Sequence, residues 1–62
     1  MTKSERYGRA VKAARSAKGL TQAQLAGKCG VNQPAISNIE HGRSDPSEKL
    51  KARLAKLLGV AS

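Results

Sequence analysis

The sequence predicts an all-α fold of four short helices, and three observations carry that prediction. Its 62 residues include one Tyr and no Phe or Trp, so a core must come from Leu, Ile, Val and Ala, which suits close helix packing better than a sheet. Those apolar residues recur at helical spacing along the chain. Thr, Ser or Asn opens each of the first three apolar runs and Gly closes it, which is the distribution of helix caps. A chain of this length makes one domain, 1–62. It buries only about 60% of its unfolded surface, so its stability is expected to be marginal.

The first helix is expected over Ser4 to Lys18, with Ser4 or Thr2 as cap, Glu5 favourable in the first turn and Gly19 just past the end. Tyr7, Val11 and Ala14 fall on its inner face, and Arg15, four residues past Val11, leans the same way. Lys3, Arg6, Arg9 and Lys12 form the outer face. Thr21 and Gln24 make a T-x-x-Q capping box for a second helix, whose inner stripe is Leu25, Ala26 and Cys29 and whose stop is Gly30. Asn32 caps a third helix, in which Pro34 is tolerated because the first turn has no use for its missing N–H. Ile36 and Ile39 face inward there, and Gly42 ends it. After the loop "RSDPSE", Leu50, Leu54, Leu57 and Leu58 define an amphipathic fourth helix with Lys49, Lys51, Arg53 and Lys56 outside.

Twelve Lys and Arg against four acids give a net charge of +8, which favours a polyanionic partner, nucleic acid first; a basic surface kept for solubility is the bland alternative. Cys29 is the only cysteine, so no internal disulfide is possible, a cysteine-based zinc site lacks ligands, and the thiol is expected in the core. The single His41 has no partner for acid–base work, and no convergent set of Ser, Cys, His and carboxylates suggests an enzyme. No cofactor, metal or small-molecule substrate is expected. No apolar run approaches the ~18 residues that cross a bilayer, and the N-terminal stretch lacks a signal peptide's apolar middle, so a cytoplasmic, nucleoid-associated protein is expected.

Two short helices joined around a glycine, the second presenting polar side chains, make a helix-turn-helix over about residues 21–41. Leu25, Ala26, Cys29, Gly30, Val31, Ile36 and Ile39 stand where the lambda-repressor/Cro-type helix-turn-helix places its buried residues, its small helix-contact residue and its turn glycine. "GLTQAQLAGKCGVNQPAISNIEHGR" resembles the core of that signature, and "LAKLLGV" resembles the end of the family's fourth helix. The resemblance implies a compact lambda-repressor-like DNA-binding domain of four helices, with or without a short fifth. It also implies a sequence-specific regulator of double-stranded DNA, a phage or prophage Cro-like repressor binding its operator as a homodimer.

Carried over position by position, the resemblance puts Gln33, Pro34, Ser37 and Asn38 on base edges. The carboxamides of Gln33 and Asn38 suit adenine, while Pro34, where the family commonly has a polar residue, offers only apolar contact. Gln22, Asn32 and Arg43 are implied phosphate contacts, with Arg9 and Lys12 in the same positive field. Arg15 and Glu40 match a largely buried salt bridge of some lambdoid phage repressors. Glu48 and Lys51 depart from apolar family positions, and the sequence stops after "LGV", where a fifth helix usually helps dimerisation. The free protein is therefore expected to be a monomer or weak dimer, with Leu57, Val60 and Ala61 the apolar residues left for a partner. The competing reading is an antitoxin-type protein-interaction module that autoregulates its own promoter.

Overall fold

A computed structural model describes residues 1–60. Four helices follow one another, α1 (Lys3–Ala17), α2 (Gln22–Cys29), α3 (Gln33–Glu40) and α4 (Glu48–Leu58), and no strand occurs among the described residues. Every helix begins on a side chain that accepts from its first turn: Thr2 from the Glu5 N–H, Thr21 from Gln24, Asn32 from Ala35 and Ser47 from Leu50. Thr2, not Ser4, caps α1. The Glu5 carboxylate closes a full capping box by accepting from the Thr2 N–H at 2.8 Å, while the Ser4 hydroxyl donates instead to Asp45. The Thr21–Gln24 box is complete as well.

Helix α3 packs on both α1 and α2, and α4 closes against α1 and α2. Val11, Leu25, Ala26, Cys29, Ile36, Ile39, Leu54, Leu58 and Val60 form one core, with Tyr7, Ala14, Leu20, Val31, Leu50 and Leu57 half-buried against it. The approach of α1 to the end of α3 is so close that a Cβ on Gly8 would lie 2.2 Å from the Ile39 carbonyl oxygen and 2.8 Å from that of Glu40. Only glycine permits that crossing.

Two residues near α4, Lys51 and Val60, differ from expectation, and Arg53 gains a partner that periodicity does not show. Lys51 is half-buried, its Nζ lying 5.7 Å from the centroid of the Tyr7 ring, so the polar departure from the family pattern is accommodated by its stem and a cation–π contact. Arg53 is exposed on the outer side of α4, as periodicity has it, and its guanidinium also reaches back to donate to the Cys29 carbonyl at 2.6 Å, capping the end of α2. Val60 follows the left-handed Gly59 and is buried in the core, so it is not surface left over for a partner. Ala61, grouped with it in that expectation, lies outside the described residues, and no fifth helix follows α4 within them.

Candidate nucleic-acid interface

The turn between α2 and α3 is Gly30, Val31 and Asn32. Gly30 is left-handed (φ 71°), which a residue with a Cβ adopts only under strain, and the Val31 N–H returns to the Ala26 carbonyl at 3.0 Å. Val31 is half-buried against the core, and Asn32 then starts α3 at once. Such a tight turn locks two helices that share the buried residues Leu25, Ala26, Cys29, Ile36 and Ile39. With Ile36 and Ile39 inward, Gln33, Pro34 and Asn38 are left exposed on α3 and Ser37 half-buried. Arg43, just beyond α3, and Arg9 and Lys12 on α1 are exposed. His41 sits at the end of α3 with its Nδ1 donating to the Ser37 carbonyl at 2.7 Å, and among the described residues no His, Cys, Asp and Glu gather as a metal site.

Beneath this surface Arg15 and Glu40 are paired. Arg15 Nε donates to Glu40 Oε2 at 2.6 Å and Nη2 to Oε1 at 3.3 Å, with the Glu40 side chain only 1% exposed. Arg15 Nη1 also donates to the Leu20 carbonyl at 2.7 Å, tying the end of α1 to the approach of α2. Burial pushes the Glu40 carboxyl up, but hydrogen bonds from Arg15 and Gln22, with the charges of Arg15 and Lys12, outweigh it and hold the group below the usual carboxylate range. Tyr7 and Cys29 shift the other way: burial raises both, the neighbouring Cys29 adding to the shift of Tyr7 and Arg53 moderating that of Cys29. The Tyr7 hydroxyl is the one buried side-chain polar group among the described residues without a hydrogen-bond partner.

Gln22 is the residue whose setting the sequence did not show. Its Nε2 donates to Glu40 Oε1 at 2.9 Å, and its Oε1 accepts from Gln33 Nε2 at 2.6 Å. One side-chain N–H and the free backbone N–H groups of the α2 start are what it has left for an anion. Asn32, exposed, likewise uses its Oδ1 on the Ala35 N–H at 3.1 Å, which leaves its amide N–H groups to donate. No local pattern signals either bond of Gln22, because both partners are long-range in sequence.

The Helix-turn-helix family matches residues 11–62, a span that takes in the turn, both flanking helices and α4. The chain belongs to the helix-turn-helix family. It is of the lambda-repressor-like type, a DNA-binding transcriptional regulator. An uncharacterised HTH-type transcriptional regulator of Methanocaldococcus jannaschii is 48% identical over 46 residues, which is 74% of this chain and 70% of that protein. Multiprotein-bridging factor 1 of Candida albicans is 42% identical over 53 residues, 86% of this chain; the chain spans only 35% of that longer relative. Among solved structures, the restriction-modification controller protein C.AhdI of Aeromonas hydrophila superposes with a TM-score of 0.85 at 28% identity, covering 94% of this chain and 88% of that one. The clp gene regulator ClgR of C. glutamicum superposes with a TM-score of 0.82 at 33% identity, covering 94% and 75% respectively. No helix among the described residues of this helix-turn-helix protein is long and apolar enough to cross a membrane.

Proposed function

We propose that the chain is a Cro-like repressor that blocks transcription by occupying an operator, with α3 in the major groove. The observation that carries this reading is the polar row of Gln33, Pro34, Ser37 and Asn38 standing outward on α3 over a buried Ile36 and Ile39. Gln33 and Asn38 read base edges, Pro34 offers an apolar face to a thymine methyl, and Ser37 bonds to either partner of a pair. The start of α2 at Gln22, the exposed amide of Asn32 and the Arg43 guanidinium bind phosphates, with Arg9 and Lys12 adding to the attraction. The Arg15–Glu40 pair takes no DNA; it fixes α1 against α3. This function belongs at the nucleoid, in the cytoplasm.

Gln33→Ala and Asn38→Ala should each reduce discrimination at one particular base pair by ~1–3 kcal/mol while leaving the melting temperature nearly unchanged. Operator variants titrated by fluorescence anisotropy would show it. Equal weakening on every sequence would mean that these side chains touch backbone rather than bases. A dimer making about 8 phosphate contacts should also give a slope of about −7 in log affinity against log salt concentration. A slope near zero in the same titrations would remove the electrostatic part of the mechanism.

Binding as a homodimer on a pseudo-palindrome follows from the geometry of two such helices entering successive major grooves about 34 Å apart. Among the described residues Met1 is the only large apolar side chain that is exposed, so the four-helix unit offers little to a second copy in solution. At micromolar concentration the free protein should sediment as a monomer or a rapidly exchanging dimer, and the full palindrome should bind far more tightly than a half-site. A tight dimer without DNA would reveal an interface outside these surfaces.

A second reading, bridging to another protein, is favoured by the likeness to multiprotein-bridging factor 1 and by an open groove lined by half-buried Leu20 and Leu57 together with Lys18 and Lys28. Reversing the charge of both lysines tests it. A change in reporter regulation in cells with operator affinity intact would support bridging, and unchanged regulation would dismiss it. Nothing in the geometry favours the antitoxin-type alternative.

A further inference from the structure

Three hydrogen bonds run in series from the interior to the exposed end of α3. Arg15 Nε donates to Glu40 Oε2 (2.6 Å), Gln22 Nε2 donates to Glu40 Oε1 (2.9 Å), and Gln33 Nε2 donates to Gln22 Oε1 (2.6 Å). Their direction is forced. An ionised carboxylate can only accept, so Gln22 must meet Glu40 with its NH₂ and turn its carbonyl towards Gln33. Gln33 in turn can meet a carbonyl only with its own NH₂. What remains free on Gln33 is its carbonyl oxygen and one N–H, an acceptor beside a donor.

That pair complements the N6 amino donor and N7 acceptor of adenine. With both amides reversed, Gln33 would spend its oxygen on Gln22 and present two N–H donors, which complement the O6 and N7 acceptors of guanine. We propose that Glu40, buried beneath α3 and out of reach of DNA, is a positioning residue for base choice: its negative charge holds Gln22 and Gln33 in the orientation that reads adenine and rejects guanine. This rests on the reading that Gln33 faces a base edge. Lys12 and Arg15 are the cations that keep Glu40 ionised, so the orientation is set by the core and not by the DNA.

Glu40→Gln tests the relay with an isosteric change. Arg15 donates to both Glu40 oxygens, from Nε at 2.6 Å and from Nη2 at 3.3 Å, so the shorter bond keeps the oxygen of the new amide, the long Nη2 bond is given up, and the NH₂ in place of Oε1 donates to Gln22, which reverses both downstream amides. Gln22→Met breaks the series while leaving Arg15 and Glu40 paired. Full-length proteins would first be used to select sites from randomised duplexes, and Gln33→Ala would identify the base pair that Gln33 reads. At that pair the unaltered protein should prefer adenine over guanine by about tenfold or more. In Glu40→Gln the preference should fall by about tenfold and move towards guanine at that pair alone, and in Gln22→Met it should collapse to within about threefold.

An unchanged adenine preference in folded Glu40→Gln overturns the relay and leaves the base contact of Gln33 standing. Equal losses at all pairs overturn it too, since a damaged fold has no base preference. Should Glu40→Gln not fold, Gln22→Met decides by the same measure. If Gln33→Ala alters no pair, the base reading itself fails, and the relay is then judged without DNA. The Gln33 side-chain amide resonances of the free protein should shift in Gln22→Met and in Glu40→Gln, although residue 40 does not touch Gln33; unmoved resonances in Glu40→Gln overturn the relay.

Discussion

Glu40→Ala should destabilise the domain by about 3–5 kcal/mol, enough to unfold much of so small a protein at room temperature. The loss arises less from the missing attraction than from what is stranded. Arg15, 13% exposed at its side chain, would keep its bond to the Leu20 carbonyl but lose its only carboxylate, and Gln22 would lose the acceptor for its amide. Replacing both charges, as in Arg15→Met with Glu40→Met, should recover most of that stability, because well-packed apolar groups avoid the desolvation cost that the pair must offset. Urea midpoints of the three proteins would decide; a double variant no better than Glu40→Ala would mean that the pair contributes by attraction rather than by mutual rescue. The same pair sets an acid response. The folded Glu40 carboxyl lies below its unfolded value of about 4.3, so its contribution is present above that value and is lost as pH falls through the folded value. The double variant should lose that part of the acid sensitivity.

Gly8→Ala should cost about 3 kcal/mol net, the second large effect. Helix propensity alone favours the change by ~1 kcal/mol. It is overridden because the new methyl would meet backbone carbonyls at 2.2 and 2.8 Å, and backbone cannot swing aside as a side-chain tip does. Helix α1 must then lift from the end of α3, opening the seam that also holds Arg15 to Glu40. A fall in melting temperature of roughly 12 °C or more is expected for a domain of this size. A variant as stable as the parent would mean that the crossing can widen freely.

The local grammar of the chain was readable because it acts over a few residues. The Thr21–Gln24 box, the stop at Gly30, the Asn32 cap and the inward rows on α2 and α3 each need only a helical turn of sequence, and the structure has all of them. The ends of long polar side chains are not so determined. Periodicity places Arg53 and Lys51 on the outer side of α4, where Arg53 is exposed, but it names no partner for either: one caps Cys29 and the other covers Tyr7, since a flexible stem lets the charged tip choose a partner from a distant helix. Gln22 was legible as a helix-start residue in the resemblance to the lambda-repressor/Cro type, but not as the link between Glu40 and Gln33. Val60 turns into the core without a local signal, because a residue after a helix-ending glycine has no periodic neighbours to say which way it turns.

Cys29, the only sulfhydryl of the chain, has no accessible surface, and its proton is held more tightly than usual by that burial. A reagent that captures thiolates therefore finds nothing to react with until the helices part. The wild-type sequence thus carries its own stopwatch for opening. Under mild conditions, when closing outpaces capture, the labelling rate reports the equilibrium between shut and open molecules; with abundant reagent it reports how often they open at all.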